Sequence, residues 1–222
     1  MEIRVIERVL KVNDELALEV RNRLREAGIT AINIISAPGS GKTALIERAI
    51  PALRDKLRLG VIEGDPDTTR DAERVAALGA PVTQINTSGG CHLEANLVLR
   101  ALDALPLDEL DLIIIENVGN MVCPVNFDLG EMWRAAVVSV PEGHDKPAKY
   151  ANLFRKTDLV VLNKTDLLPY VDFDMAVFEA DLAQLNPGVE LLRTSCRSGD
   201  GMAAWTAWLE RVCGESPARA PG

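Results

Sequence analysis

The chain has few basic residues, only two histidines and no long apolar run. Lysine and arginine number 24 against 33 acidic residues, which gives a net charge of −9 over 222 residues. This balance argues against DNA or RNA as the main partner, because neutralising phosphates takes clustered basic side chains. No stretch reaches the ~18 apolar residues of a membrane span, and the charged start MEIRVIERVLKVNDEL is unlike a signal peptide. We expect a cytoplasmic protein that binds neither nucleic acid nor membrane.

Cysteine is also scarce, and the four cysteines are Cys91, Cys123, Cys196 and Cys213. Because the cytoplasm keeps thiols reduced, we expect no disulfides, and cysteines that cluster would favour metal or redox chemistry. Hydrophobic residues make up 47% of the chain and charged residues 26%, which is ordinary for a globular protein with a sizeable core. This length fits one large domain better than two small ones.

Short apolar, β-branched runs alternate with helical patterns along most of the chain. Runs typical of buried strands lie at 31–36, 59–64, 81–86, 110–117, 135–140, 158–164 and 189–195. Helical patterns lie at 42–57, 69–79, 92–104, 174–185 and 201–212. The alternation predicts a three-layer α/β fold, with a mostly parallel seven-stranded sheet and helices on both faces.

The two ends of the chain have different patterns. Residues 13–28 resemble an amphipathic helix that Asn13 could cap and Gly28 could end. We assign residues 1–213 to a single domain, with 1–29 as its N-terminal helical segment. The small, Pro-rich tail 214–222 is expected to be disordered.

The segment SAPGSGKT joins the first strand of the predicted sheet to a helix. In a phosphate-binding loop, glycines turn backbone N–H groups toward phosphates, a lysine reaches the β- and γ-phosphates, and a threonine hydroxyl binds Mg²⁺. The residues that fit these roles are Gly39, Ser40, Gly41, Lys42 and Thr43. Ser36 stands where the motif usually begins with glycine. The strand–loop–helix context predicts a P-loop NTPase fold. The alternative, an ordinary glycine turn followed by a solvated lysine, would not require this context.

A second nucleotide signal is NKTD at the end of the sixth predicted strand. The carboxylate of Asp166 can accept hydrogen bonds from N1–H and the 2-amino group of guanine, and adenine lacks both donors. Lys164 can lie along the base, and Asn163 can brace the loop. Four-letter matches are common, but this one follows the glycine loop by about 120 residues, in the order of a GTP site. After the last strand, we assign Ser195 and Cys196 to the turn that closes this site.

Carboxylates follow two further strands, where Mg²⁺ and an attacking water would bind. The segment EGDPDTTRDAER offers Asp65 and Asp71, and IIIENVGN ends its strand with Glu116. Many NTPases place an acidic residue there, near the γ-phosphate. We expect Lys42, Asp65, Asp71 and Glu116 to serve hydrolysis of GTP to GDP, and Thr43, Asp71 and Glu116 to surround Mg²⁺. No glutamine is obviously placed to orient water, which predicts a slow intrinsic rate. Alternatively, some of these acidic residues could have no catalytic role and only stabilise the N-terminal ends of helices.

Two thiols and an imidazole follow neighbouring strands of the predicted sheet. Cys91 and His92 are expected at the start of a helix, where the thiol pKa would be lowered, and Cys123 follows the strand of Glu116. The carboxyl ends of parallel strands meet at one sheet edge, so these loops should lie near the nucleotide. Taken singly, a cysteine is more often a small buried side chain, and a histidine at a helix start is often only a cap. Adjacent helical side chains point apart, so Cys91 and His92 could share an ion only where the backbone is extended.

Two cysteines and one histidine do not close a metal site within one chain, but two chains offer four thiolates and two imidazoles. A planar set of four thiolates suits Ni(II), and a tetrahedral set suits Zn²⁺. We therefore predict a homodimer whose shared metal site responds to the γ-phosphate.

Six segments, taken in order, resemble the HypB family of nickel-inserting GTPases from NiFe-hydrogenase maturation, over roughly residues 1–212. They are SAPGSGKT, EGDPDTTRDAER, INTSGGCHLEA, ENVGNMVCP, HDKPAKY and NKTD. The resemblance implies a GTP-dependent dimer with nickel or zinc held at its interface by Cys91, His92 and Cys123. It also implies a small nickel carrier protein and the hydrogenase large subunit as partners.

The chain departs from many family members, because it has neither an N-terminal cysteine motif nor a histidine-rich run. High-capacity nickel storage is therefore not implied. Cys196 and Arg197 are also unusual in the last guanine loop. Lys146 and Lys149 match a basic loop of the family and could bridge subunits, or could simply be solvated.

Three other functions remain as alternatives. The nickel GTPases of urease maturation also combine a P-loop with NKTD, but a proline separates their cysteine from their histidine. A GTPase that chaperones a cobalamin-dependent mutase would leave Cys91, His92 and Cys123 without a role. A metal-buffering protein with vestigial GTP binding would lack hydrolysis that depends on Lys42.

Overall fold

The computed structural model describes residues 3–65 and 68–215, and its centre is one sheet of seven strands. The strands are β1 (Thr30–Ser36), β2 (Leu59–Asp65), β3 (Val82–Asn86), β4 (Leu112–Glu116), β5 (Trp133–Ser139), β6 (Leu159–Asn163) and β7 (Glu190–Arg193). Their spatial order is β3-β2-β4-β1-β5-β6-β7, and every pairing is parallel. The predicted fold class is confirmed, with a sheet that is parallel throughout rather than mostly parallel.

Eight helices surround the sheet within the described ranges. They are α1 (Ile3–Glu26), α2 (Lys42–Leu53), α3 (Arg70–Ala76), α4 (Ala95–Leu102), α5 (Lys146–Lys149), α6 (Ala151–Arg155), α7 (Met175–Leu185) and α8 (Met202–Gly214). Short 3-10 helices include Cys123–Asn126 and Thr165–Tyr170. Helix α2 contains Pro51 and ends at Leu53, four residues before the predicted end.

Both faces of the sheet are covered, which accounts for strands that are apolar at nearly every position. In β1, Ile32 and Ile34 pack with residues of α2 and α8. Ala31 and Ile35 point to the opposite face, where Ala31 packs with α1 and α4 and Ile35 packs with α6 and α7. Successive side chains of a strand alternate between faces, so a strand buried on both sides reads as one continuous apolar run.

The N-terminal helix differs from its prediction. It begins at Ile3, so Asn13 lies inside α1 and is not its cap. Asn13 instead accepts a hydrogen bond from the backbone N–H of Ala95, the first residue of α4, at 2.9 Å. It also donates to the carbonyl of Asp128 at 2.8 Å. The buried amide therefore fastens α1 to α4 and satisfies one N–H that the start of a helix leaves unpaired.

The carboxyl ends of the strands all point to one edge of the sheet, where ligands of open α/β sheets bind. The loops that leave β1, β2, β4 and β6 at this edge carry the glycine loop, the acidic residues and NKTD. At the C-terminus, the predicted tail starts one residue too early, since Gly214 is the last residue of α8. Residues 216–222 lie outside the described residues.

Candidate functional site

The glycine loop lines a cavity of about 420 Å³ at the carboxyl edge of the sheet. Site residues predicted from the sequence that line it are Gly39, Gly41, Lys42, Thr43, Asp65, Asp71 and Glu116. Lys42 is buried, and its Nζ donates a hydrogen bond to Ser36 Oγ at 3.1 Å. Ser36, which replaces the usual first glycine, thus supplies a hydrogen-bond acceptor to this buried charge.

Carboxylates from two paired strands close the floor of this cavity. Thr43 Oγ1 donates to Glu116 Oε1 at 2.9 Å, and Lys42 Nζ lies 3.7 Å from the same oxygen. Glu63 on β2 is the register partner of Glu116 on β4. One oxygen each of Glu63, Asp71 and Glu116 lie within 4.8 Å of one another. Among the described residues, Glu63 Oε2 and Glu116 Oε2 are buried without a hydrogen-bond partner, a donor set that suits Mg²⁺.

The other predicted acid, Asp65, also lines this cavity but is not one of the three clustered carboxylates. It is half-buried at the end of β2, and its Oδ1 accepts from the N–H of Thr68 at 2.6 Å. Asp71 forms an ion pair with Arg74 at 2.7 Å, and Arg74 also binds Glu47. The structure therefore places Asp71 in the carboxylate cluster and leaves Asp65 outside it.

The NKTD segment touches the glycine loop directly. Asn163 Nδ2 donates to the carbonyl of Ser40 at 3.0 Å, and Lys164 Nζ donates to the carbonyl of Gly39 at 2.6 Å. Gly41 has φ +104°, and a side chain there would collide with the amide of Asn163. This contact brings the predicted base-reading and phosphate-binding segments together, although 123 residues separate Asn163 from Ser40.

The last turn supports the predicted guanine reader. Ser195 Oγ donates to Asp166 Oδ1 at 2.6 Å and accepts from the N–H of Ser198 at 3.1 Å. Cys196 Sγ lies 3.6 Å from Asn163 Oδ1, and the carbonyl of Cys196 accepts from Arg48. Ser195 therefore fixes the orientation of the Asp166 carboxylate. Cys196 packs against Asn163, the residue predicted to brace the NKTD loop.

The thiols and the imidazole meet at the same edge of the sheet. One donor atom each of Cys91, His92 and Cys123 lie within 4.8 Å of one another, and Cys91 Sγ is 3.5 Å from His92 Nδ1. Helix α4 begins only at Ala95, so the prediction that it starts at position 92 is wrong by three residues. The non-helical backbone lets the adjacent side chains of Cys91 and His92 converge. Soft thiol and imidazole donors suit Ni(II) and Zn²⁺.

The later helix start also removes the reason for a lowered thiol pKa. The pKa of Cys91 is instead raised, first by its hydrogen bond with Cys123 and then by burial. His92 stacks on Phe127, with ring centroids 3.8 Å apart, and its Nε2 lies 3.7 Å from Glu94 Oε1. The stacking holds the imidazole of one loop against the loop that follows Cys123.

The two basic residues of the fifth helix are paired within the chain. Lys146 Nζ lies 3.8 Å from Glu142 and 5.3 Å from the ring centroid of Tyr150. Lys149 forms an exposed ion pair with Asp145 at 2.5 Å. A role for either lysine between subunits stays a prediction.

Residues 30–193, which hold the glycine loop, NKTD, both thiols and the imidazole, match the family model described as CobW/HypB/UreG, nucleotide-binding domain. The hydrogenase maturation factor HypB of Azotobacter vinelandii is 49% identical over 212 residues, which cover 96% of this chain and 70% of that protein. The chain belongs to the HypB family. The resemblance inferred from the six sequence segments is thereby confirmed.

Two solved HypB structures share the fold of this HypB-family chain. HypB from Archaeoglobus fulgidus has a TM-score of 0.86 and 39% identity, covering 91% of this chain and 99% of that one. HypB from Helicobacter pylori in complex with nickel has a TM-score of 0.87 and 33% identity, covering 94% and 99%. Both support the P-loop NTPase architecture. Within residues 3–65 and 68–215, no helix is long and apolar enough to cross a bilayer.

Glu63 is the site residue that the sequence interpretation missed. It is a buried carboxylate within the otherwise apolar run LGVIEG, and it lies beside Glu116 because β2 pairs with β4. Burial and then the negative charge of Glu116 raise the pKa of Glu63 to about 10, above the usual 4.5. A lone acid in a buried strand could have signalled a site, since carboxylates are seldom buried without a partner.

We expect Glu63→Gln to flatten the pH dependence of stability in this HypB-family chain. Folded Glu63 keeps a proton that the unfolded chain releases above pH 4.5, so the free energy of unfolding falls as pH rises toward about 10. Between about pH 5 and pH 8, this group contributes a decline on the order of 2–4 kcal/mol. Urea unfolding without Mg²⁺ or nucleotide measures it, with Glu210→Gln as a surface control. Equal declines in Glu63→Gln and wild type would refute the assignment.

Proposed function

We propose that this HypB-family chain is a metal-binding GTPase of the cytoplasm that dimerises with GTP and delivers Ni(II) during NiFe-hydrogenase maturation. The observation that carries the proposal is the convergence of Cys91, His92 and Cys123 at the sheet edge that also holds the nucleotide cavity. The hydrogenase maturation role of the relatives and the nickel complex of the Helicobacter pylori protein support it.

Guanine selectivity would come from Asp166. Its carboxylate can accept from both N1–H and the 2-amino group of guanine, and adenine would leave it without donors. Ser195 holds one carboxylate oxygen at 2.6 Å and so keeps the group oriented before the base arrives. Lys164 and Asn163 are fixed to the glycine loop, which keeps the base site at a constant distance from the phosphate site.

Hydrolysis of GTP to GDP and phosphate would use the buried floor of the cavity. Lys42 would exchange its contacts with Ser36 and Glu116 for the β- and γ-phosphates, and the N–H groups of Gly39, Ser40 and Gly41 would face the phosphates. Thr43, Asp71, Glu116 and Glu63 would hold Mg²⁺, which supplies charge neutralisation at the phosphates. Asp65, outside the carboxylate cluster, would orient the attacking water. The described residues that line the cavity include no glutamine to take this role, so we expect the intrinsic rate to be slow.

The metal cargo would be shared between two copies of the chain. One chain offers three soft donors, which leaves a four-coordinate ion incomplete. A two-fold axis beside Cys91 and Cys123 would bring four thiolates and two imidazoles together, a planar set for Ni(II) or a tetrahedral set for Zn²⁺. The proposed partners are a small nickel carrier protein, which loads the site, and the hydrogenase large subunit, which receives the ion.

The nucleotide-dependent dimer leads to a direct prediction. We expect sedimentation velocity to show a larger dimer fraction with a non-hydrolysable GTP analogue than with GDP, because the γ-phosphate acts next to the metal-bearing loops. Lys42→Ala, which weakens phosphate binding, serves as the control and should show the same low dimer fraction in both states. Equal dimer fractions of the wild-type chain in the two nucleotide states would remove the switch.

Two of the alternative functions from the sequence analysis lead to different expectations. A urease-type nickel GTPase would carry out the same nucleotide and metal steps but would deliver the ion to a different enzyme. Cys91 and His92 are adjacent here, without the intervening proline of that family, which favours hydrogenase. A metal-buffering protein with vestigial GTP binding would show no hydrolysis that Lys42→Ala abolishes.

A further inference from the structure

Four buried polar side chains form a connected row beneath the two loops that carry the thiols and the imidazole. We call this row the buried polar chain, and its members are Asn33, Asn117, Glu131 and Arg134. All four have 5% or less of their surface exposed. Buried amides and charges are costly unless they are fully hydrogen-bonded, so the contacts of this row define its purpose.

The row runs without interruption across three strands of the sheet. Asn117, directly after β4, donates from Nδ2 to Asn33 Oδ1 in β1 at 3.2 Å. Asn33 Nδ2 donates to Glu131 Oε1 at 3.4 Å, and Arg134 in β5 donates from Nε to the same oxygen at 2.9 Å. Although burial opposes ionisation of Glu131, the charge of Arg134 and its hydrogen bonds lower the pKa of Glu131 to about 2. The row is therefore anchored by a buried ion pair.

Each end of the buried polar chain holds the backbone of one metal-bearing loop. Asn117 Oδ1 accepts from the N–H of Leu93, the residue after His92, at 3.3 Å. At the other end, Arg134 donates to the carbonyl of Val125 at 3.1 Å. Val125 lies two residues after Cys123, in the same 3-10 helix. The row thus sets the distance between the Cys91–His92 loop and the Cys123 loop.

Asn117 is also attached to the nucleotide site. It follows Glu116, whose Oε1 accepts from Thr43, and its own N–H donates to the carbonyl of Ile34 in β1 at 3.1 Å. Two residues later, the backbone of Gly119 packs so closely on Pro38 that a Cβ at 119 would lie 3.0 Å from it. A ligand that shifts the backbone at Glu116 would therefore also displace Asn117, the next residue.

We propose that Asn117 is a positioning residue that couples nucleotide state to the affinity of the Cys91–His92–Cys123 cluster for a soft divalent cation. The inference rests on the proposed function, because it requires both ligands to bind this chain. Asn117 acts through its hydrogen bonds to Leu93 and Val118, at 3.3 and 3.0 Å.

The test measures nickel affinity of the full chain with and without a non-hydrolysable GTP analogue, by thiolate-to-nickel charge-transfer absorption. Coupling between two sites commonly changes affinity by about 5- to 150-fold, and we expect a wild-type ratio in this range. Asn117→Ala should still bind each ligand alone, and its ratio should fall toward one. Asn117→Asp, which keeps the accepting oxygen, should retain a larger ratio than Asn117→Ala. Asn33→Ala, which removes both the acceptor for the Asn117 amide and the donor to Glu131, provides a second variant and should reduce the ratio partly.

The matched control is Asn186→Ala, which removes another asparagine whose amide donates to two backbone carbonyls, those of Phe154 and Thr157, at 2.9 and 2.8 Å. These contacts join the end of α7 to the segment before β6, and they involve no residue of the metal-bearing loops. A ratio lost in Asn117→Ala and kept in Asn186→Ala supports the inference. A wild-type ratio in Asn117→Ala, or an equal loss in both variants, overturns it. A ratio of one in the wild-type chain would instead reject the proposed switch itself.

Discussion

Cys91→Ala and Cys123→Ala are each expected to abolish stoichiometric nickel binding and to leave GTP binding at the wild-type level. Each substitution removes one of two thiols whose donor atoms, with that of His92, lie within 4.8 Å of one another. Loss of groups that only support a ligand weakens metal affinity by ~10- to 100-fold, so loss of a ligand should cost more. In a symmetric dimer, each substitution also removes two of four thiolates.

Two measurements separate this result from general damage. Equilibrium dialysis gives the nickel stoichiometry, and the charge-transfer band reports whether sulfur binds the ion. Cys213→Ala is the matched control, because Cys213 lies in α8 and packs against the core far from the cluster. If Cys91→Ala and Cys123→Ala both bind nickel like Cys213→Ala, the thiols are not ligands and the shared site is wrong.

Asp166→Asn is expected to produce the second large effect, a loss of guanine selectivity. Sites built to hydrogen-bond a substrate group discriminate by ~10⁴–10⁵-fold against analogues that lack the group. An amide at this position can still accept from N1–H, but it offers its NH₂ to the 2-amino group of guanine, and two donors repel. The same NH₂ can donate to the 2-oxo group of xanthine, so the variant should gain affinity for XTP while it loses affinity for GTP.

The change in selectivity is measured by the concentrations of GTP, XTP and ATP that displace a fluorescent guanine nucleotide from the protein. Asp172→Asn, a nearby exposed acid outside the base site, is the matched control. Ser195→Ala should give a milder loss, because it removes only the hydrogen bond that orients Asp166. An unchanged competition profile in Asp166→Asn would show that this carboxylate does not read the base.

The strands and the chemical groups of this chain could be predicted because they depend on local pattern. Each of the seven apolar runs overlaps a strand, since burial on both faces leaves a signature that needs no knowledge of neighbours. The glycine loop and NKTD were placed together correctly because chain order and sheet topology fix which loops share an edge. The role of Ser36, which replaces the first glycine of the motif, could not be predicted from the sequence, because its hydrogen bond with Lys42 is visible only in the structure.

The wrong predictions and the missed residues depend on contacts between residues that are distant in the sequence. Asn13 looks like a helix cap, but α1 continues on both sides of it and its amide serves α4, 82 residues away. Asn33 and Glu63 each interrupt an apolar strand, and only the alignment with Asn117 and Glu116 explains them. The start of α4 at Ala95 could not be read from its pattern either, because helix boundaries are uncertain by a few residues.

The attachment of Lys164 and Asn163 to the glycine loop has a consequence for how the domain resists local opening. Nucleotide would bridge the glycine loop at 36–43 and the NKTD segment at 163–166, so its binding energy is lost whenever either segment detaches. The loaded protein therefore has fewer partly open forms than the empty one, and proteases that attack such forms meet them less often. Occupancy by guanine nucleotide would in this way govern the lifetime of the polypeptide as well as its assembly.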